Sequence, residues 1–159
     1  MELYFSHALD LSEDSVLSVQ EITIANNFCN GADVRELGLS AFVNMVSFVV
    51  GESCFANVEK CFLVGLHKLE RVEIGKKSFV KAEYKTIDGV DMNRQFRLSD
   101  CENMKDLAIG DGSFLDYSVC EIDNVPRLES IQFGTQSGKY AGCFYWASIE
   151  LRGGGVFCV

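Results

Sequence analysis

Residues 72–79 read VEIGKKSF and residues 107–114 read LAIGDGSF, so the same phrase is written twice. Fainter copies begin at Ile22, Phe48 and Ile131. The glycine of the phrase, which we call the anchor, stands at positions 51, 75, 110 and 134, and Ala25 takes its place in the first copy. Successive anchors are 26, 24, 35 and 24 residues apart. Internal repetition with a period of about 20–50 residues is typical of solenoids.

The repeat extends beyond the phrase, because apolar residues or cysteine stand nine, six, three and one positions before each anchor. These columns are Val16, Phe42, Leu66, Cys101 and Val125; Val19, Met45, Leu69, Met104 and Leu128; Ile22, Phe48, Val72, Leu107 and Ile131; and Ile24, Val50, Ile74, Ile109 and Phe133. A second apolar pair recurs between them as Leu37/Leu39, Cys61/Leu63, Phe96/Leu98, Cys120/Ile122 and Ile149/Leu151. Apolar residues separated by one position indicate strands. The sequence therefore predicts a mostly β solenoid of about five coils, with short parallel strands on two faces.

The residues after each strand predict the corners of the coils. A glycine at the anchor permits positive φ and close backbone approach. Ala25 fits either an irregular first coil or a turn that does not need positive φ. Small polar residues three positions later can bond turn amides, and phenylalanines one position further can fill the corner of the core. The first set is Cys54, Ser78, Ser113 and Ser137, and the second is Phe55, Phe79 and Phe114. Gly138 ends the last phrase, so packing there must come from Tyr140, Phe144, Tyr145 or Trp146.

The phrase resembles the leucine-rich repeat superfamily, whose consensus opens L-x-x-L-x-L. It is most similar to the BspA-like (treponemal-type) variant, whose repeats carry I-G-x-x-A-F, as at residues 74–79 and 109–114. The resemblance covers about residues 16 to 151. It implies a curved solenoid that binds proteins through the sheet on one face.

The 159 residues are predicted to form a single leucine-rich-repeat domain. Residues 1–15 are an N-terminal cap, 16–151 the repeats and 152–159 a C-terminal tail. Sixteen residues separate Phe79 from Phe96, whereas five separate Phe55 from Cys61. The eleven extra residues predict a surface loop inserted within 80–95, which either joins a binding face or is a tolerated excursion.

Composition and charge limit the kinds of partner and the cellular compartment that we expect for the protein. A formal net charge of −9 repels phosphate backbones and argues against nucleic-acid binding. No apolar run approaches the roughly 18 residues of a membrane span, and the first residues do not resemble a secretion signal. Three of the seven cysteines fall in apolar columns, which favours small buried side chains in a reduced chain. We therefore expect an intracellular, cytoplasmic protein, or an extracellular surface protein if a leader is missing.

The sequence offers few candidate catalytic residues. Of its two histidines, His7 stands near the terminus and His67 at an outward loop position. We expect no enzyme activity, no cofactor and no metal site. The leading hypothesis is a non-enzymatic module that recognises a protein partner of unknown identity through a sheet face. The proposed contact residues point outward from the first strand of each coil: Thr23, Ser47, Val49, Arg71, Glu73, Asp106, Ala108 and Gln132. The alternative is a structural, surface-antigen or adhesin repeat that stacks on further repeats or self-associates.

Overall fold

A computed structural model describes residues 2–4, 13–81, 91–134 and 142–153. Parts of the predicted cap, insertion and tail, together with Ser137, Gly138 and Tyr140, lie outside these residues. In chain order the elements are β1 Glu2–Tyr4, α1 Glu13–Ser18, β2 Glu21–Ile24, β3 Glu36–Gly38, β4 Ser47–Val50, β5 Lys60–Val64, β6 Arg71–Ile74, β7 Asp91–Ser99, β8 Asp106–Ile109, β9 Tyr117–Asp123, β10 Ser130–Phe133 and β11 Ser148–Arg152.

The strands form two parallel sheets, and from β2 onward the chain alternates between them. Sheet A has the order β1-β2-β4-β6-β8-β10, and sheet B has the order β3-β5-β7-β9-β11. This arrangement is a β-solenoid, as the repeat predicts. The winding completes about four turns.

The register of the sheets confirms the apolar columns. In sheet A, Ile22 pairs with Phe48, Phe48 with Val72, Val72 with Leu107, and Leu107 with Ile131. The column that begins at Ile24 is aligned in the same way. Its central members are at most 2% exposed. Side chains of the same column therefore stack from one coil to the next and form the core.

The columns of sheet B are buried in the middle coils and open at the last one. The two inward residues of β5, β7 and β9 are fully buried. In β11, by contrast, Ile149 is 47% exposed and Leu151 is 42% exposed. The difference arises because β11 has a neighbouring strand on one side only among the described residues.

Close approach of adjacent coils explains the anchor glycines better than backbone conformation does. Of the four, only Gly134 has positive φ, so of the two reasons given for the glycine, positive φ does not apply to Gly51, Gly75 and Gly110. A Cβ on Gly75 would lie 2.5 Å from the carbonyl carbon and oxygen of Gly51. A Cβ on Gly110 would lie 2.7 Å from the Lys76 amide nitrogen. Since the turn does not need positive φ at the anchor, Ala25 is compatible with it.

Adding one methyl group at an anchor should therefore be costly. We expect Gly75→Ala to lower the free energy of unfolding by about 1–3 kcal/mol or more, because the contacting atoms are backbone. Gly38→Ala is the matched control, since its Cβ would meet nothing within 4 Å. It should be neutral, or stabilising by about 0.4–1 kcal/mol. Urea unfolding measures both, and equal effects of the two variants would contradict this explanation.

The corner phenylalanines form a stacked ladder through the solenoid. Ring centroids are 4.9 Å apart for Phe55 and Phe79, 4.5 Å for Phe79 and Phe114, and 4.8 Å for Phe114 and Phe144. All four residues have φ between 51° and 58°, a region that bulky residues seldom adopt. Phe144 takes the place that the sequence phrase assigned to Gly138, so the last coil is longer than the pattern indicated. Of the other candidates, Tyr145 and Trp146 are exposed.

A second ladder at the corner consists of hydrogen bonds to the anchors. Ser78 Oγ donates to the Gly51 carbonyl and Ser113 Oγ to the Gly75 carbonyl, both at 2.8 Å. Cys54 Sγ donates to the Ala25 carbonyl at 3.1 Å. Cys143 Sγ, in the place expected for Ser137, donates to the Gly110 carbonyl at 3.1 Å. Each coil is thus tied to the anchor of the coil before it.

The end of the stretch that contains the insertion forms part of a strand. Residues 91–95 belong to β7, and the register of β7 with β9 shifts between Asp91 and Gln95. Lys81, the last described residue before the gap, places its Nζ 2.9 Å from Asp91 Oδ2. The two ends of the excursion are therefore held together.

Candidate functional site

The outward residues of sheet A form two straight columns. All eight residues proposed from the sequence lie on this face: Thr23, Val49, Glu73, Ala108 and Gln132 in one column, and Ser47, Arg71 and Asp106 in the other. Glu21 and Ser130 complete the second column. Adjacent strands of a sheet are about 4.8 Å apart, so each column is about 20 Å long. We call this surface the sheet A face.

The centre of the sheet A face carries charged and polar contacts. The guanidinium of Arg71 forms an ion pair with Glu73 of the same strand. Ser130 Oγ donates to Asp106 Oδ1 at 2.8 Å. At its edge, Lys105 Nζ lies 2.7 Å from Glu70 Oε2, and this hydrogen bond raises the pKa of Lys105. Of the remaining positions, Glu21 is acidic and the others carry small or neutral side chains.

The outward residues of sheet B are engaged with one another. The guanidinium of Arg97 lies 5.5 Å from the ring centroid of Phe62, and its Nε lies 2.9 Å from Glu121 Oε2. Lys60 Nζ lies 2.6 Å from Glu36 Oε1. Phe62 points outward but is half-buried, because Arg97 covers it.

Sequence analysis missed a buried ion pair at the corner where β7 begins. Arg94 Nη1 lies 2.8 Å from Asp116 Oδ2, and both side chains are fully buried. Arg94 also donates to the Ala56 carbonyl at 3.0 Å and lies 4.9 Å from the ring centroid of Tyr117. Burial raises the pKa of the Asp116 carboxyl, and the Arg94 guanidinium opposes that shift. Alternation could have found this residue, since Arg94 stands two positions before the inward Phe96.

Removing one partner of this pair should destabilise the protein strongly. We expect Arg94→Met to cost about 3–5 kcal/mol, because it leaves the Asp116 carboxyl buried without its cation. The double variant Arg94→Met/Asp116→Leu should recover most of that loss. Arg97→Met, which breaks an exposed pair, is the control and should cost about 0–1 kcal/mol. Denaturant unfolding compares the three, and a single-variant cost equal to the control would contradict the buried-pair assignment.

The cysteines of the described residues are free thiols. Cys61, Cys101 and Cys120 are fully buried in the core. Burial raises the pKa of Cys101 to about 11 and that of Cys120 to about 12, and it raises the pKa of Cys61 as well. A thiol with so high a pKa is a poor nucleophile at neutral pH. These cysteines fill space in the core, as their columns predict.

Thiol titration tests this burial. At pH 8 we expect Cys61, Cys101 and Cys120 to be unreactive toward an aromatic disulfide reagent in the native protein. After denaturation without reductant, all seven cysteines of the sequence should react. Cys120→Ala should lower the denatured count by one and leave the native count unchanged. Fewer than seven thiols in the denatured protein would show a disulfide and overturn the reduced state.

The described residues include one histidine, His67. His67 is an exposed turn residue with Nδ1 3.7 Å from Glu102 Oε1. Within residues 13–81, 91–134 and 142–153, no three His, Cys, Asp or Glu side chains are grouped as metal ligands. The described part of the chain includes no helix with the length and hydropathy that crossing a membrane requires.

Comparison of the chain with family models, curated proteins and solved structures gives no match.

Proposed function

We propose that this protein is a non-enzymatic recognition module that binds another protein across the sheet A face. One observation carries the proposal: the outward residues of five successive strands of sheet A lie in register on a continuous surface. Such a surface is held rigid by the stacked core beneath it. Rigid surfaces lose little conformational entropy on binding, which favours affinity.

The contrast between the two faces supports the choice of sheet A. On sheet B, the long side chains of Arg97 and Lys60 are tied to neighbouring coils by ion pairs. On sheet A, the central pair of Arg71 and Glu73 lies within one strand and links no coils. Small residues such as Ser47 and Ala108 flank it and allow a partner to approach closely. The acidic residues of this face outnumber Arg71, so we expect basic side chains on the partner.

We also propose that the chain is similar to BspA-like leucine-rich repeats, on the basis of the phrases at residues 74–79 and 109–114. Stacked parallel strands, one anchor per turn and a corner phenylalanine support it. The partner's identity is a separate question, because function lies in surface residues rather than in the fold.

The structural alternative, a repeat that stacks on further repeats or on itself, is favoured by a different observation. Inward residues of β11 are exposed at the end of the stack, as Ile149 and Leu151 show. This feature concerns the end of the solenoid and leaves the sheet A face available.

A charge exchange on the sheet A face tests the recognition proposal. The double variant Arg71→Glu/Glu73→Arg keeps an ion pair within β6 but reverses the charges that a partner meets. We expect unchanged stability and a Kd for the partner raised roughly tenfold or more. The partner is first isolated on the immobilised protein, and its affinity is then measured by calorimetry with purified material.

A matched exchange on the other face is the control. Glu36→Lys/Lys60→Glu likewise keeps an ion pair, but on sheet B. It should leave the Kd unchanged if binding occurs on sheet A. A loss of affinity in the sheet B variant, with normal affinity in the sheet A variant, would place the binding surface on sheet B.

A further inference from the structure

The two ends of the solenoid differ in shape. At the C-terminal end, β10 and β11 are the last described strands of their sheets and belong to the same coil. At the N-terminal end, β1 extends sheet A beyond β2, whereas sheet B ends at β3 among the described strands. The C-terminal end is therefore level and the N-terminal end is stepped. A level end fits another level end better than it fits a stepped one.

The level end exposes the continuation of the core. Ile149 and Leu151 of β11 are exposed, and Ile131 and Phe133 of β10 are half-buried. On the inner coils, residues of the same columns are covered by the next strand. The outer edges of β10 and β11 also present backbone groups that lack a neighbouring strand among the described residues. Such edges are ready to pair with another strand.

Charge selects how a second copy would meet this edge. Two copies related by a two-fold axis pair β11 antiparallel with itself, and inward residues stay opposite inward residues only if the axis passes through a residue. An axis at Glu150 would place two carboxylates opposite each other. An axis at Leu151 places Glu150 of each copy opposite Arg152 of the other. Opposite charges in directly facing positions are stabilising and like charges are not.

We propose that two copies of this chain associate end to end through their level C-terminal ends, with β11 pairing antiparallel about Leu151. The interface continues the coil-to-coil stacking of the solenoid, since Leu151 meets its equivalent across the axis. It is isologous, so association stops at two copies. The dimer does not depend on binding of a partner to the sheet A face. In it, a second copy covers the open C-terminal end.

Charge exchange at the edge tests the pairing in the full chain. Sedimentation velocity over a series of protein concentrations should show a dimer for the native sequence. Glu150→Arg and Arg152→Glu should each raise the dimer dissociation constant roughly tenfold or more, because each puts like charges opposite at two symmetric positions. The double variant Glu150→Arg/Arg152→Glu should restore the native value. Glu21→Arg, the same charge change on exposed β2, is the control and should have no effect.

The remaining outcomes overturn the proposal. They are a native chain that is monomeric at every concentration, a dimer that none of the edge variants weakens, and growth beyond two copies. One further variant distinguishes a second copy from the chain's own tail as the group that covers the open end. If removing residues 154–159 converts a monomeric chain into a dimer, the tail covers that end in the native chain. Circular dichroism of each edge variant should match the native spectrum, since the side chains of Glu150 and Arg152 are 48% and 62% exposed.

Discussion

Every feature of this protein depends on adjacent coils lying one strand spacing apart at the anchor. Two backbones can approach so closely only where no side chain intervenes, which is why a Cβ at Gly75 would overlap Gly51. The same spacing brings each apolar column into contact and sets the hydrogen bonds of both sheets. A wider spacing at the anchor would weaken the packing of the core and the serine and cysteine hydrogen bonds together.

The corner shows how an unfavourable local conformation is offset by the stack. Phe55, Phe79 and Phe114 have left-handed backbone angles, each of which costs about 1–3 kcal/mol. In return, every ring lies against the ring of the next coil and is buried, which contributes about 1.5–3 kcal/mol per side chain. A single coil would not keep this geometry. The corner is therefore stable only because it is repeated.

Much of the fold could be predicted because the same spacing of apolar residues recurs in every coil. The alignment of Ile22, Phe48, Val72, Leu107 and Ile131 follows from spacing alone, and the sheets reproduce it. Features that occur once were missed. Alternation marks Arg94 as an inward residue, but the repeat does not identify Asp116, in the turn before β9, as its partner. Phe144 was named as one candidate for the last corner, but its position was not predicted, because it lies ten residues after Gly134 and the other corner phenylalanines lie four after their anchors.

The placement of the proposed contact residues on one face could be predicted for the same reason. Strand alternation identifies which residues of sheet A point outward, and the register confirms that they share one face. Alternation does not show which of these outward side chains contact neighbouring side chains. The cover of Arg97 over Phe62 and the pair of Arg71 with Glu73 depend on side-chain rotamers, which a repeat pattern does not encode.

The ion pair between Lys81 and Asp91 has a consequence for how the molecule can vary. It fixes the points where the chain departs from the stack and rejoins it, so the scaffold constrains the ends of the excursion and not its length. Because the entropy of closing a loop grows only slowly with length, about 0.6 kcal/mol for each doubling, this place can accept new sequence at small cost. The chain between Lys81 and Asp91 is thus a position where the sequence can diversify without disturbing the stacked coils.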